Sequence, residues 1–139
     1  MSLEVLTTAQ MAQADRAAPA AGASSRGLME AAGQAVAAAA LEGWPLARRV
    51  VVMTGPGNNG GDGYVAARTL AARGLDVAVA TLVPRARLTG DATAAAASWE
   101  GPIVDLADAE FAHADLVIDA LFGAGLSRAL DGAAAEAVA

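Results

Sequence analysis

The spacing of hydrophobic and polar positions changes along the chain, and each change marks an element. Near the start, Thr7 or Thr8 can cap a helix through residues 11–17, which Pro19 and Gly22 break. Ser24 or Ser25 then caps a second helix. Its apolar positions Leu28, Met29, Ala32, Val36 and Ala40 recur at intervals of three and four, the helical period. Gly43, Trp44 and Pro45 end it. Residues 49–54, Arg-Val-Val-Val-Met-Thr, show no polar alternation, which predicts a strand covered on both faces, as in a parallel sheet. A glycine-rich turn is expected over residues 55–63. A helix follows over 64–73, closed by Gly74 at the position after the C-cap. Residues 76–83 predict a second buried strand, and 89–99 an alanine-rich helix stopped by Gly101-Pro102. Residues 103–106 and 116–120 predict two more strands.

Strands alternating with helices in this order predict a Rossmann-like, doubly wound α/β domain: a parallel sheet between helical layers, αβα. Right-handed crossovers give a strand order 3-2-1-4. The reversal then falls between the strand ending at Thr54 and the strand ending at Ala120, and ligands bind in such a crevice. The two unusual loops of the sequence leave those two strands. Residues 133–139 read as part of a helix with no cap and no strand behind it. The chain, 1–139, is therefore expected to be one domain that is truncated at its C-terminal end.

Composition narrows the function. At 55% hydrophobic and 17% charged, the 139 residues can bury a core. The net charge of −6 argues against nucleic-acid binding through phosphate neutralisation. Lys is absent, which removes a lysine Schiff base, a P-loop lysine and a polybasic membrane patch. Cys is absent too, so there is no disulfide, thiolate nucleophile or zinc–cysteine site. The one histidine, His113, falls at the amino end of the fourth strand, away from the crevice, and reads as a surface residue. Trp44 and Trp99 read as packing anchors at helix ends. The first residues carry Glu4 and lack a basic segment before an apolar run, and no apolar stretch is long enough to span a bilayer. A cytoplasmic protein without membrane contact is expected.

The first loop reads Gly55-Pro56-Gly57-Asn58-Asn59-Gly60-Gly61-Asp62-Gly63. Five glycines permit positive φ and close approach of backbone N–H groups to a ligand. The following helix N-terminus favours an anion such as phosphate. A plain strand-to-helix turn, with glycines for packing, is the alternative. Gly55, Gly57 and Gly60 match G-x-G-x-x-G, but no acid stands at the end of the next strand to hold a ribose. Arg85 there could meet a 2′-phosphate, or Arg85 and Arg87 could be solvated surface residues. The second loop, residues 119–128, begins at Asp119 inside an apolar strand, where a lone carboxylate is costly to bury. Asp119 either caps N–H groups of its own loop or shares a cation with the Asn58-Asn59 loop. Such oxygen ligands suit an alkali or alkaline-earth ion. Gly123, Gly125, Ser127 and Arg128 could form a second anion cradle.

Gly-Pro-Gly-Asn-Asn-Gly-Gly-Asp-Gly-Tyr-Val-Ala-Ala-Arg over residues 55–68 resembles the signature of the NAD(P)HX epimerases, the YjeF N-terminal domain family. Residues 119–128 resemble that family's second motif, and Thr8-Ala9-Gln10-Met11, Asp15 and Leu28-Met29-Glu30 resemble its opening. The resemblance implies an isomerase that interconverts the R and S epimers of hydrated NADH and NADPH in nucleotide repair. It implies an ADP- or ATP-dependent dehydratase as a fused or separate partner, and a homodimer. By carry-over, Asn58, Asn59, Gly60, Gly61 and Asp62 contact the hydrated dinucleotide, as do Gly123, Ala124, Gly125, Leu126, Ser127, Arg128 and Ala129. Asn59 and Asp119 become ligands of a potassium ion.

Ala31, Ala124 and Ala129 depart from residues frequent in the family. The family also continues into a further strand with a D-x-P-S-G type motif, so an incomplete site is expected. Asp62 and Asp119 are the carboxylates available for proton transfer, and the resemblance assigns neither. Two other readings stand beside the epimerase. One is a non-catalytic nucleotide- or partner-binding module on the same fold. The other is an NADP-linked oxidoreductase that uses Arg85.

Overall fold

The computed structural model describes residues 5–139. Glu4, used above in reading the N-terminus, lies outside the described residues. Helix α1 (Thr8–Ala17) is capped by Thr7, whose hydroxyl accepts the Gln10 N–H while the Gln10 side chain accepts the Thr7 N–H. A short 3₁₀ turn over Ala18–Ala21 follows, and Gly22, at φ 89°, ends it. Helix α2 (Ser25–Gly43) starts at the Ser24 cap. Then come β1 (Arg49–Thr54), α3 (Asn58–Ala72), β2 (Asp76–Thr81), α4 (Gly90–Ala97), β3 (Ile103–Asp105), β4 (Leu116–Ala120) and α5 (Gly132–Val138).

All pairings are parallel, and the strand order is β3-β2-β1-β4, as the right-handed crossover rule requires. Gly74, at φ 86°, closes α3. Its N–H donates to Ala71 and that of Leu75 to Leu70, a Schellman arrangement.

The two faces of the sheet are covered unequally. On one face Val50, Val52, Val77 and Val79 pack with Ala37 of α2, Tyr64, Val65 and Leu70 of α3, and Trp99 just after α4. On the other, Met53 and Ala80 meet Leu106, Leu121 and Ala134 of α5. That second cover is short, so Val51 is only half-buried and Val117 is exposed. The expectation of a strand buried on both faces therefore holds in full for the first face of β1 and in part for the second. Among the described residues, no helix is long and apolar enough to cross a membrane.

The largest departure from expectation is the start of α3. Residues 58–63, read as turn, form its first turns. Only Gly55, Pro56 and Gly57 connect β1 to the helix. The glycines explain why. A Cβ on Gly60 would overlap the Gly55 carbonyl oxygen, and one on Gly63 would stand 2.7 Å from Ala120 Cβ. Glycine here lets the helix lie directly on the strand ends, and that packing overrides poor helix propensity.

Candidate active site

The carboxyl ends of β1 and β4 are joined at the switch point. The Gly55 N–H donates to the Ala120 carbonyl at 3.0 Å. One residue on, a Cβ at Gly55 would overlap the Leu121 carbonyl oxygen, so the two loops leave the sheet in contact. They meet again at the α3 N-terminus, where Asn59 stands 3.4–3.7 Å from the Cβ position of Gly123. A turn closed by Leu126 N–H to Gly123 O, at 3.1 Å, shapes the second loop.

Between the loops lies a cavity of about 550 Å³, lined by Gly57, Asn58, Asn59, Asp62 and residues 121–126, with Asp15 of α1 at its side. The first-turn N–H groups of α3 have no intrahelical acceptor, so this end of the cavity favours an anion. A second cavity, of about 520 Å³, lies between α1, α2, α3 and the start of α4. It shares Asp15, Asn58 and Asp62 with the first.

The structure thus gathers Asn58, Asn59, Asp62, Gly123, Ala124, Gly125 and Leu126. It does not gather the rest of the expected set. Gly60 and Gly61 are buried under the helix, Gly61 against Met29, where a Cβ would lie 2.6 Å from its Sδ. None of the five loop glycines has positive φ. Gly55, Gly60, Gly61 and Gly63 serve close packing, and Gly57 alone opens on free space. Ser127, Arg128 and Ala129 are exposed and do not line the cavity. Arg128 instead pairs with Asp131 at 3.1 Å, three residues on.

Asp119 needs a correction. It is not buried. It sits level with Met53 on the thinly covered face of the sheet, and it is exposed. One of its oxygens accepts the Leu121 N–H at 3.0 Å, so it caps its own loop. Arg85 is exposed, as its surface reading expects. Its guanidinium donates to the Ala96 and Trp99 carbonyls at 3.1 and 3.2 Å, closing the end of α4. It lines neither cavity of the site, so the oxidoreductase reading finds no support in its position. His113 is exposed, as expected.

Asp15 is the site residue that the loop motifs do not point to. Met11 and Asp15 are four apart, so they share one face of α1, and that spacing is the signal for it. Both line the second cavity. Asp62 is half-buried and makes no side-chain hydrogen bond or ion pair among the described residues. Burial pushes its carboxyl up to about 6, and the negative charge of Asp15 adds to the effect.

The family model for "YjeF-related protein N-terminus" matches residues 25–139. The chain belongs to the YjeF N-terminal family. Among curated relatives of this YjeF-type domain, an NAD(P)H-hydrate epimerase of Rhodobacter capsulatus is 46% identical over 140 residues, covering 93% of this chain and 66% of the relative. A bifunctional NAD(P)H-hydrate repair enzyme, Nnr, of Coxiella burnetii is 39% identical, covering 85% of this chain and 25% of the relative. A solved yeast structure, YNL200c, superposes with a TM-score of 0.77 at 28% identity, covering 93% of this chain and 60% of that one. The YjeF-type chain thus spans from a quarter to about two-thirds of the length of these proteins.

Proposed function

We propose that this chain is the epimerase domain of NAD(P)H-hydrate repair, interconverting the R and S epimers of NADHX and NADPHX. The observation that carries the reading is the cavity itself. Two loops distant in sequence meet at the switch point, and the family's Asn-Asn-Gly-Gly-Asp run forms the helix N-terminus that faces it. Relatives bearing the epimerase name support it. The dinucleotide phosphates would sit against the N–H groups of Asn58 and Asn59, where helix partial charge and free donors favour them.

The reacting carbon bears both a hydroxyl and the ring nitrogen. Loss and return of the hydroxyl, or opening and reclosure of the ring, both move a proton at that oxygen. Asp62, with its carboxyl near pH 6, can hold or release such a proton close to neutrality.

A potassium ion belongs to the same proposal. Among the described residues no cluster of three or more His, Cys, Asp or Glu side chains could hold a metal ion. The donors on offer are the Asn59 carboxamide oxygen, which has no hydrogen bond among the described residues, and the Asp119 oxygen left free by Leu121. Hard oxygen donors of this kind fit an alkali ion. Asn59 and Asp119 would hold it beside the second loop, where its charge would help to bind phosphate.

A dehydratase acting on the S epimer is the proposed functional partner, supported by the bifunctional relative. A homodimer and a cytoplasmic location go with the same reading.

The test supplies purified R-form NADPHX in potassium buffer and follows the S form against the spontaneous rate. Acceleration is expected. Asp62→Asn should lose roughly 100-fold, the scale of general acid–base catalysis. Replacing potassium by sodium should lower the rate, and Asp119→Ala should remove the difference between the two ions. A rate equal to the spontaneous one, with binding retained, would overturn the enzyme reading in favour of a binding module.

A further inference from the structure

We propose that the second cavity, between α1 and α2, receives the hydrated nicotinamide–ribose end of the dinucleotide while the loop cavity holds its phosphates. This rests on the dinucleotide reading above and assigns a place to the half of the ligand that neither loop motif addresses.

Three observations converge on it. First, the two cavities share a wall made by Asp15, Asn58 and Asp62, so one elongated ligand can pass from one into the other. Second, the linings differ in kind. The loop cavity contains the open N–H groups of a helix start. The second cavity contains Met11, Leu28, Met29, Ala31 and Ala32 as an apolar floor, with three carboxylates, Asp15, Asp62 and Asp91, around it. No basic side chain lines it among the described residues. Asp15 and Asp62 are common to both cavities, but here Asp91 adds a third carboxylate and the bulk of the wall is apolar, so this cavity suits an uncharged ring that offers N–H and O–H donors better than a phosphate. The hydrated nicotinamide supplies a carboxamide NH₂ and a ring hydroxyl, and its ribose supplies more. Adenine is rich in acceptors, and against it this lining sets only Ser25 and Asn58 as donors. Third, the volume of about 520 Å³ lies in the range of about 300–1,000 Å³ usual for small-molecule pockets.

Asp62, on the shared wall, then stands where the phosphate half meets the reacting ring. Its raised pKa agrees with that position. Asp15 is its neighbour on α1 and acts as a positioning residue through it. The small side chains of Ala31 and Ala32 leave the floor open, so volume added there should select against the ring.

Ala32→Trp fills the floor from an exposed position on α2, where tryptophan is tolerated in a helix. Binding would be measured by calorimetry with NADPHX and with 2′-phospho-ADP, which keeps the adenosine and its phosphates but lacks both the nicotinamide and the ribose that bears it. The expected result is at least a tenfold weakening for NADPHX and no change for the truncated ligand. Equal weakening of both places the adenosine end in the cavity and overturns the proposal. No change in either also overturns it.

A second measurement uses the unsubstituted chain with ¹³C-methyl methionine. Nuclear Overhauser contacts from the Met11 and Met29 methyls to nicotinamide ring protons are expected. Contacts to adenine H2 or H8 instead overturn the assignment. If the unsubstituted chain binds neither ligand, the dinucleotide reading falls and this proposal with it. If it binds both with these contacts but does not epimerise, the subsite stands and the enzyme reading alone falls.

Discussion

Five glycines in one short run look alike in sequence, yet they answer to different neighbours. Gly60 touches the Gly55 backbone, Gly61 touches Met29, and Gly63 touches Ala120 and Thr54. Gly57 faces nothing within 4 Å and lines the loop cavity. The prediction is a clean separation. Gly60→Ala should destabilise the fold by about 3 kcal/mol, since backbone must move to admit the methyl. Gly57→Ala should leave the melting temperature almost unchanged, because its φ of −102° suits any residue. It should nevertheless weaken dinucleotide binding, read by calorimetry. Legibility at this scale follows the same line. That Asn58, Asn59, Asp62 and Gly123 line one cavity was readable because they stand in the two loops that leave the neighbouring strand ends. The correction at Asp119 was not readable, since its exposure depends on how far α5 covers the sheet. The role of Arg85 was equally hidden, because its acceptors lie 11 and 14 residues away.

At the level of elements, the strands were the most legible part. Parallel strands are apolar throughout, and β1 and β4 begin and end where their hydrophobic runs do. Strand β2 stops two residues short of expectation because the Thr81 hydroxyl donates to the Val83 carbonyl and turns the chain. Helix α3 begins six residues early for the packing reason given above. What joins the elements is less visible in the sequence. Glu30 of α2 accepts from Arg68 of α3 at 2.5 and 2.7 Å, beside the contact of Gly33 with Val65. Asp115, just before β4, accepts the N–H groups of Arg48 and Arg49 at 2.9 and 2.8 Å. It thereby fastens β4 to the start of β1. Those backbone hydrogen bonds hold its carboxyl below the usual carboxylate range. Asp115→Ala should lower the melting temperature at pH 7, and Asp115→Asn, which keeps an acceptor, should fall between. Thermal melts at pH 3 and pH 7 check this, because the wild-type advantage should shrink at the lower pH.

For the molecule as a whole, two aspartates set opposite slopes of stability against pH. Asp115 has a lowered folded pKa, so its contribution is present above about 3.8 and is lost as pH falls through the folded value. Asp62 has a raised one, so the folded state binds its proton more tightly than the unfolded state does. Stability should therefore decline as pH rises from 3.8 through about 6, where the half-buried carboxyl must ionise. Taken by itself, the Asp62 carboxyl makes the folded state more stable near pH 4 than at neutrality, against the opposite slope of Asp115 and of Glu30, which Arg68 holds below the usual range. Asp62→Asn should flatten the decline and raise the melting temperature at pH 8. A melting series across pH 3–8 for both chains checks it.

Helix α1 carries a different consequence. It has no buried residue, yet it supplies Met11 and Asp15 to the cavities. Its capping box lies within the helix itself, and the 3₁₀ turn that follows joins it to α2. Amide protons in such a helix exchange with solvent through local opening, at a cost well below global unfolding. A ligand that closes on Met11 and Asp15 would slow that exchange in this one helix while the sheet stays as protected as before.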